Sequence, residues 1–297
     1  MAGHIVHILH HGSRLTKDRG HLVCAYGDDG ETRTLPIEDV AAVIVAERGV
    51  FISMELIGAL VEANAVILHC NEKYRPVGVT SGVERVITSE ALINQANRDS
   101  ALHDRLWKRI MAGKVINQAK ALERFGKSAA YLRCEIDNEP VNEAACARHY
   151  WSEYFAIFDL DGVIRHGEDE KGINAKLNYG YAVLGALIHR SIIAHGLSPV
   201  FGMHHVTRYK AHAMVYDLIE PWRPFVDTAL AAFERKPPGG ERTMEAWARH
   251  IAGTFKDTKV RTPDRTLTAL DAIDVFVERI AKCYAEKTVR HVWVPVL

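Results

Sequence analysis

The hydrophobic pattern changes character once along the chain. Over roughly the first eighty residues the apolar positions come in short β-branched or aliphatic runs at 4–10, 21–26, 41–46 and 65–69. These runs are separated by Gly27-Asp28-Asp29-Gly30 and by Glu47-Arg48-Gly49, and they predict strands with turns between them. One stretch, 53–63, has helical spacing instead. Pro76, Gly78 and Gly82 then predict a turn-rich boundary. From Glu90 onward the period becomes 3.6, which predicts helices over 91–125, 142–158, 173–194, 244–255 and 266–286, with a loop at 236–240. No sequence repeat or low-complexity tract is evident. The pattern therefore predicts an α+β chain, with a small β-rich unit over 1–85 and a larger all-helical unit over 86–297. Alternating βα units are missing from the second part, which argues against a dinucleotide-binding sheet there.

Composition removes several classes of function. The chain has 297 residues, of which 48% are hydrophobic and 25% charged, the make-up of an ordinary globular protein. Its longest apolar stretches, 40–46 and 181–188, fall far short of the roughly 20 residues a bilayer span needs. No signal-like layout opens the sequence, and the five cysteines form no CxxC pair, so reduced thiols in the cytoplasm are the expectation. Lys plus Arg and Asp plus Glu both total 37, so net charge points to no partner. Charge position says more. Arg105, Lys108, Arg109, Lys114, Lys120, Arg124, Lys127 and Arg133 crowd one predicted helical stretch, a stripe that could follow phosphates or simply be solvated.

Some motifs fail on context. Gly126-Lys127-Ser128 lacks the glycine five positions before it that a phosphate-binding loop needs, and position 121 is Ala. His103-Asp104 is an isolated dipeptide without evident partner ligands. The run Phe158-Asp159-Leu160-Asp161-Gly162 looks like the first motif of haloacid-dehalogenase-type phosphatases, in which Asp159 would be the nucleophile and Asp161 the acid/base. That chemistry needs a strand before the motif, and the surroundings read as helix. An Asp-Gly turn closing a helix is the competing explanation.

Three separated segments carry more. Glu143 opens an apolar helix, where a carboxylate suits the helix dipole. His204-His205 follow a glycine turn at Gly202 and could ligate a metal or only pack. Asp217 and Glu220 are three apart, one helical turn, although Pro221 makes the backbone at Glu220 uncertain.

These segments, with Asn174 and the stretch Asn178-Tyr179-Gly180-Tyr181, resemble the CRISPR-associated adaptation (spacer-acquisition) endonuclease/integrase family. In that family an acid opens a Glu-x-x-Ala-(Ala)-(Lys/Arg)-x-Tyr helix. An Asn-Tyr-Gly-Tyr helix, a Gly-Leu-x-x-x-x-Gly-x-x-His segment and Asp-Leu-Met-Glu-Pro-Phe-Arg-Pro follow. The counterparts here are Glu143, Asn178 to Tyr181, Gly196-Leu197 through His205, and Asp217 to Pro224. The departures are Ile219 for Met, Trp222 for Phe and Ala144 where Gly is common; the match is dense over 141–227 and thins on either side.

The resemblance implies a metal-dependent enzyme that inserts short duplex DNA into a CRISPR array by 3′-hydroxyl transesterification. It implies Glu143, His205 and Glu220 as catalytic residues and ligands of Mg²⁺ or Mn²⁺, with Asp217 as an auxiliary acid. Asn178, Arg190, Arg208 and Arg223 are candidate DNA contacts. It further implies a homodimer formed through the 1–85 unit and a small ferredoxin-like companion protein, acting on prespacer and repeat duplexes away from any membrane. Removing an acid from the site is expected to leave the fold intact, because two unpaired carboxylates would repel. A catalytically idle DNA-binding scaffold and the Asp159/Asp161 phosphatase are the alternatives.

Overall fold

A strand that is apolar at every position must be covered on both faces, and β5 (Val40–Val45) is such a strand. The computed structural model describes residues 3–26, 31–71, 76–82, 89–97, 99–136, 138, 141–160, 164–165, 172–205, 212–235 and 241–297. It places β5 inside a four-stranded sheet. Its neighbours β1 (His4–Ile8) and β7 (Val66–Cys70) run parallel to it, and β8 (Pro76–Thr80) pairs antiparallel with β7. Side chains alternate across this sheet. Ala42, Ile44, Val66 and Leu68 face a core shared with the C-terminal helices, whereas Ile8, Val43 and Ile67 face a second core. That second core lies under another sheet, in which β2 (Arg14–Asp18), β3 (His21–Tyr26) and β4 (Glu31–Pro36) are antiparallel and the short β6 (Phe51–Ile52) runs parallel to β2. Leu56 and Leu60 of α1 (Met54–Glu62) complete it, with Ser53 capping the helix through the Leu56 N–H.

The apolar runs at 4–10, 21–26, 41–46 and 65–69 thus mark real strands, and 53–63 a real helix. The polar strands β2 and β4 were not legible, because their side chains are largely exposed, and β8 was hidden by its Pro76 and Gly78. Pro76 opens an edge strand instead of a turn, a position where its missing N–H does no harm. The turn expected at 27–30 lies outside the described residues.

The helices follow as α2 (Ser89–Ala96), α3 (Ser100–Arg124), α4 (Ala130–Ile136), α5 (Glu143–Phe155), α6 (Gly172–Ala194), α7 (Ala213–Leu218), α8 (Arg223–Glu234), α9 (Met244–Asp257) and α10 (Ala269–Glu286). The helix expected over 91–125 is two helices, because the Asp99 carboxylate accepts the Leu102 N–H and starts a new one. The helix expected over 266–286 begins only at Ala269. Thr266–Thr268 form β10, paired with β9 (Lys259–Arg261), so the C-terminal part is helical apart from one small hairpin. The loop expected at 236–240 lies outside the described residues.

One buried carboxylate ties α5, α6 and α8 together. Asp227 of α8 is 1% exposed. Tyr150 of α5 donates its hydroxyl to Oδ2 at 2.6 Å, and Tyr181 of α6 donates to Oδ1. The Tyr154 hydroxyl takes the Asp227 carbonyl at 2.8 Å. Burial pushes the Asp227 carboxyl up to about 6 despite these hydrogen bonds and the nearby Arg165 and Arg223. Between the ordinary value of 3.8 and about 6, the folded chain holds a proton that the unfolded chain has released. Stability therefore falls as pH rises across that window. Asp227→Asn removes this dependence, so the melting temperature of wild type minus that of the variant should decline from pH 4.5 to 6.5 and then level off. Scanning calorimetry of both proteins measures it, and a flat difference would count against a buried titrating Asp227.

Candidate active site

A carboxylate with no exposed surface needs partners on both oxygens, and Asp217 of α7 is 0% exposed. Its Oδ2 accepts the N–H groups of Met203 and of His204, the latter at 3.1 Å. Its Oδ1 accepts the His205 N–H at 3.1 Å and lies 2.7 Å from His205 Nδ1. The chain from 202 to 205 is folded over this one side chain. Gly202 permits the approach: a Cβ there would fall 2.7 Å from the His205 carbonyl, 2.8 Å from Asp217 Oδ2 and 2.9 Å from the Ala213 side chain. With Nδ1 donating to Asp217, the neutral His205 ring keeps its lone pair on Nε2. Upstream, the buried Gln95 amide donates to the Ser198 and Phe201 carbonyls at 2.9 Å and accepts the Ser198 N–H at 2.8 Å.

Glu220 sits past the end of α7, in the 3-10 turn Glu220–Trp222, as Pro221 foreshadows. It is 5% exposed. Arg223 Nε lies 3.2 Å from its Oε1, and Lys114 Nζ lies 2.7 Å from its Oε2. The same Lys114 ammonium is 2.9 Å from Oε1 of Glu143, the first residue of α5, which the Asn142 side chain caps through the Ala145 N–H. Burial pushes the Glu220 carboxyl up, but Arg223, Lys114 and His205 together hold it below its ordinary value. The turn itself is fixed from α3: the buried Asn117 amide donates to the Pro221 carbonyl at 2.8 Å and to the Pro295 carbonyl at 2.9 Å, and its Oδ1 accepts the Leu297 N–H at 2.9 Å.

Lys114 was expected on a solvated basic stripe, and this is corrected. It continues the inward positions Leu102, Leu106 and Ile110 at four-residue steps, and only 12% of its side chain is exposed. Lys108 and Arg109 of the same stripe are exposed as expected. The repulsion expected between Glu143 and Glu220 is likewise corrected, since a cation stands between them.

Among the described residues, no three His, Cys, Asp or Glu side chains converge closely enough to hold an ion as they stand. The donor chemistry nevertheless fits a hard divalent cation at the place where Lys114 reaches. Glu220 Oε2 is buried and in contact with the ammonium, yet it has no aligned hydrogen bond. His205 presents a free Nε2, and Glu143 adds a half-exposed carboxylate. Two carboxylates and one imidazole with open positions suit Mg²⁺ or Mn²⁺ better than structural Zn²⁺.

The other candidates divide. Arg223 lies over the Tyr181 ring at 4.9 Å, as Arg165 does at 5.5 Å. Asn178 accepts from Arg165 at 2.6 Å, and all four residues line a cavity of about 530 Å³ that also reaches Tyr216, beside His205. Arg190 lies apart from them: its Nε donates to the Asn64 carbonyl at 2.8 Å, roughly 18 Å along α6 from Asn178, and this supports the turn between α1 and β7. Arg208 and Asp161 lie outside the described residues. Asp159 has a left-handed backbone (φ 56°) after the 3-10 turn that extends α5, so a helix precedes it where a phosphatase needs a strand. His103 is 4% exposed and packs edge-on against Tyr284 in the core. Asn117, Gln95 and Trp107, whose ring stacks on His204, were not singled out from sequence, and Lys114 was read only as part of the basic stripe. For Lys114 and Asn117 the signal was present, as polar residues on the apolar stripe of α3.

Because Glu220 neutralises two cations in a buried place, Glu220→Ala strands them and should cost about 3 kcal/mol. Glu143→Ala removes a half-exposed partner and should cost less than about 1 kcal/mol. Adding Lys114→Met to Glu220→Ala should recover part of the loss. Urea denaturation of the four proteins decides this, and equal costs for the two acids would contradict it.

The family model described as CRISPR associated protein Cas1 matches residues 6–237. A protein named CRISPR-associated endonuclease Cas1 from Neisseria meningitidis serogroup C (strain 8013) is 27% identical over 297 residues, covering 97% of this chain and 94% of that protein. Among solved structures, a casposase bound to its integration product aligns with a TM-score of 0.80 at 18% identity, covering 96% of this chain and 91% of that one. A Cas6-RT-Cas1–Cas2 complex aligns with a TM-score of 0.72 at 16% identity, covering 99% of this chain and 36% of that one. With a family match across most of its length, this chain belongs to the Cas1 family of CRISPR-associated proteins.

Proposed function

We propose that this chain is a divalent-metal-dependent DNA endonuclease and integrase, which inserts short duplexes into a CRISPR array by transesterification. The observation that carries the reading is the meeting of Glu143 and Glu220 at one cation, beside a His205 whose Nδ1 is engaged by Asp217. Glu143, His205 and Glu220 would hold Mg²⁺ or Mn²⁺, and Asp217 would act through His205. When bound, the ion polarises the phosphate and steadies the leaving oxygen. A DNA 3′-oxygen forms the new P–O bond as it gives up its proton. The old P–O bond breaks, and its oxygen leaves with the electron pair and is protonated in turn. Bonds of the same kind are exchanged, so no nucleotide needs to be hydrolysed. Arg223, braced on Tyr181, and Arg165 give the adjoining cavity fixed positive charge for the DNA backbone.

The names of the similar proteins support the wider reading. A casposase holding an integration product and a complex of Cas1 with Cas2 share the fold, so duplex DNA, a second copy of the chain and a small Cas2-like companion are the proposed partners. The 1–85 unit would serve dimerisation and 86–297 catalysis. No helix among the described residues is long and apolar enough to cross a membrane. The non-catalytic scaffold is the rival that experiment must remove.

The test is Mn²⁺-supported joining of a 3′-hydroxyl duplex to a plasmid bearing the repeat. Wild type should join the strands, and Glu143→Ala, His205→Ala and Glu220→Ala should each lose at least about a hundredfold, while Asp159→Asn joins normally. Strand transfer surviving in any of the three would show the ligands to be wrong, and its absence from wild type would favour the scaffold.

Gly202→Ala offers a second check, since it removes no ligand side chain. Displacing His205 from Asp217 should weaken Mn²⁺ binding about ten- to a hundredfold in titration calorimetry. Unchanged affinity would mean that the Asp217 contact does not orient His205.

A further inference from the structure

Two imidazoles outside the candidate active site face one another across the wall of the larger cavity. His189 belongs to α6 and is 6% exposed, and His212 is the residue that opens α7. Their ring centroids are 5.3 Å apart and their planes 64° apart, and both line the cavity of about 530 Å³. Among the described residues neither ring has a hydrogen-bond partner. Buried imidazoles ordinarily spend a nitrogen on such a partner, so packing alone does not account for the pair. The backbone beneath His212 is fixed: its carbonyl accepts the Tyr216 N–H at 3.1 Å, and the Met214 N–H donates to the Pro199 carbonyl at 2.9 Å.

The chemistry of the pair selects a ligand. Burial, and after it the neighbouring His212, pushes the His189 imidazole down to about 4, and burial lowers His212 as well. At pH 7 each ring is therefore neutral and carries a nitrogen lone pair. Two imidazoles bound at about 2.0–2.1 Å to one tetrahedral ion have centroids roughly 5 Å apart, which is the separation found. Arg165 and Arg223 line the same cavity at its other end. Arg165 bonds Asn178 and Arg223 lies over Tyr181, roughly 16 and 12 Å along α6 from His189. No third His, Cys, Asp or Glu joins the pair among the described residues. A ligand set of neutral nitrogens suits Zn²⁺ and disfavours Mg²⁺, which wants oxygen. We propose that His189 and His212 form a separate Zn²⁺ site, whose remaining positions open to the cavity. Asp217 lies on the helix that His212 opens, so an ion here would pin to α6 the carboxylate that holds His205. The inference does not depend on the metal proposed at Glu220.

The experiment uses the full chain carrying His205→Ala, which takes the imidazole out of the candidate active site, in excess Mg²⁺ to occupy the carboxylates. Zn²⁺ titration calorimetry should show a saturable site that Mg²⁺ does not block, and added Zn²⁺ should raise the melting temperature. His212→Ala and His189→Gln, each placed on this parent, should weaken Zn²⁺ binding at least about tenfold, the scale lost with even a supporting residue. Each should also abolish the rise in melting temperature. Circular dichroism checks folding, and the half-buried His212 keeps the test open if His189→Gln fails to fold. Absence of Zn²⁺ binding by the parent overturns the site. So does binding that persists unchanged in His212→Ala, which would leave two imidazoles that only pack.

Discussion

Two carboxylates that face the same point in a poorly solvated interior need a positive charge between them, and the rest of the site is arranged around that constraint. Glu220 is buried and Glu143 half-exposed, and Lys114 reaches both. At separations below 3 Å and reduced dielectric, such contacts amount to several kcal/mol, offset by the desolvation of the charges. The ammonium is tethered to α3, so it keeps the acids in register without a diffusible ion. A divalent cation brings twice the charge and accepts more than two donors. In the proposed function such a cation would displace the lysine, with His205 joining the coordination.

In that proposal the surrounding residues would prepare the exchange. Asp217 gathers three consecutive N–H groups and one ring nitrogen, which sets the tautomer and direction of His205 at once. Asp227, with three tyrosines, holds the helix of Glu143 against the helix that follows Glu220. Neither aspartate needs to touch substrate. Each places an acidic or imidazole donor by filling its own hydrogen-bonding capacity, and such buried networks are unforgiving when one member is lost.

Much of this was legible in the sequence, though unevenly. Apolar runs such as 41–46 announced buried strands, and the periodicity after Glu90 announced helices, because both record burial directly. Polar edge strands such as β4 left no trace, since exposure does not select for a pattern. The candidate site residues Glu143, His205 and Glu220 were named through family resemblance. Their spacing alone would have left Glu143 as an ordinary N-terminal acid. Lys114 was misjudged, because eight cations in one stretch read as a face toward water. The four-residue step from Ile110 was the better guide. The contact of Arg190 with Asn64 was out of reach for a related reason: an arginine's partner can be a distant backbone carbonyl, which no local pattern reveals.

The amide of Asn117 has a mechanical meaning. One side chain holds the carbonyl next to Glu220 and also two groups of the segment ending at Leu297, while Val294 of that segment lies against Gly113, where a Cβ would come within 2.1 Å of it. The segment and the turn at Glu220 are therefore bolted through a single joint. Pulling residues 295–297 away would leave a buried amide half unsatisfied, and that deficit would appear one residue from Glu220. Force applied at this end of the fold, by a bound protein or by a fused one, has a short and rigid route to the carboxylate.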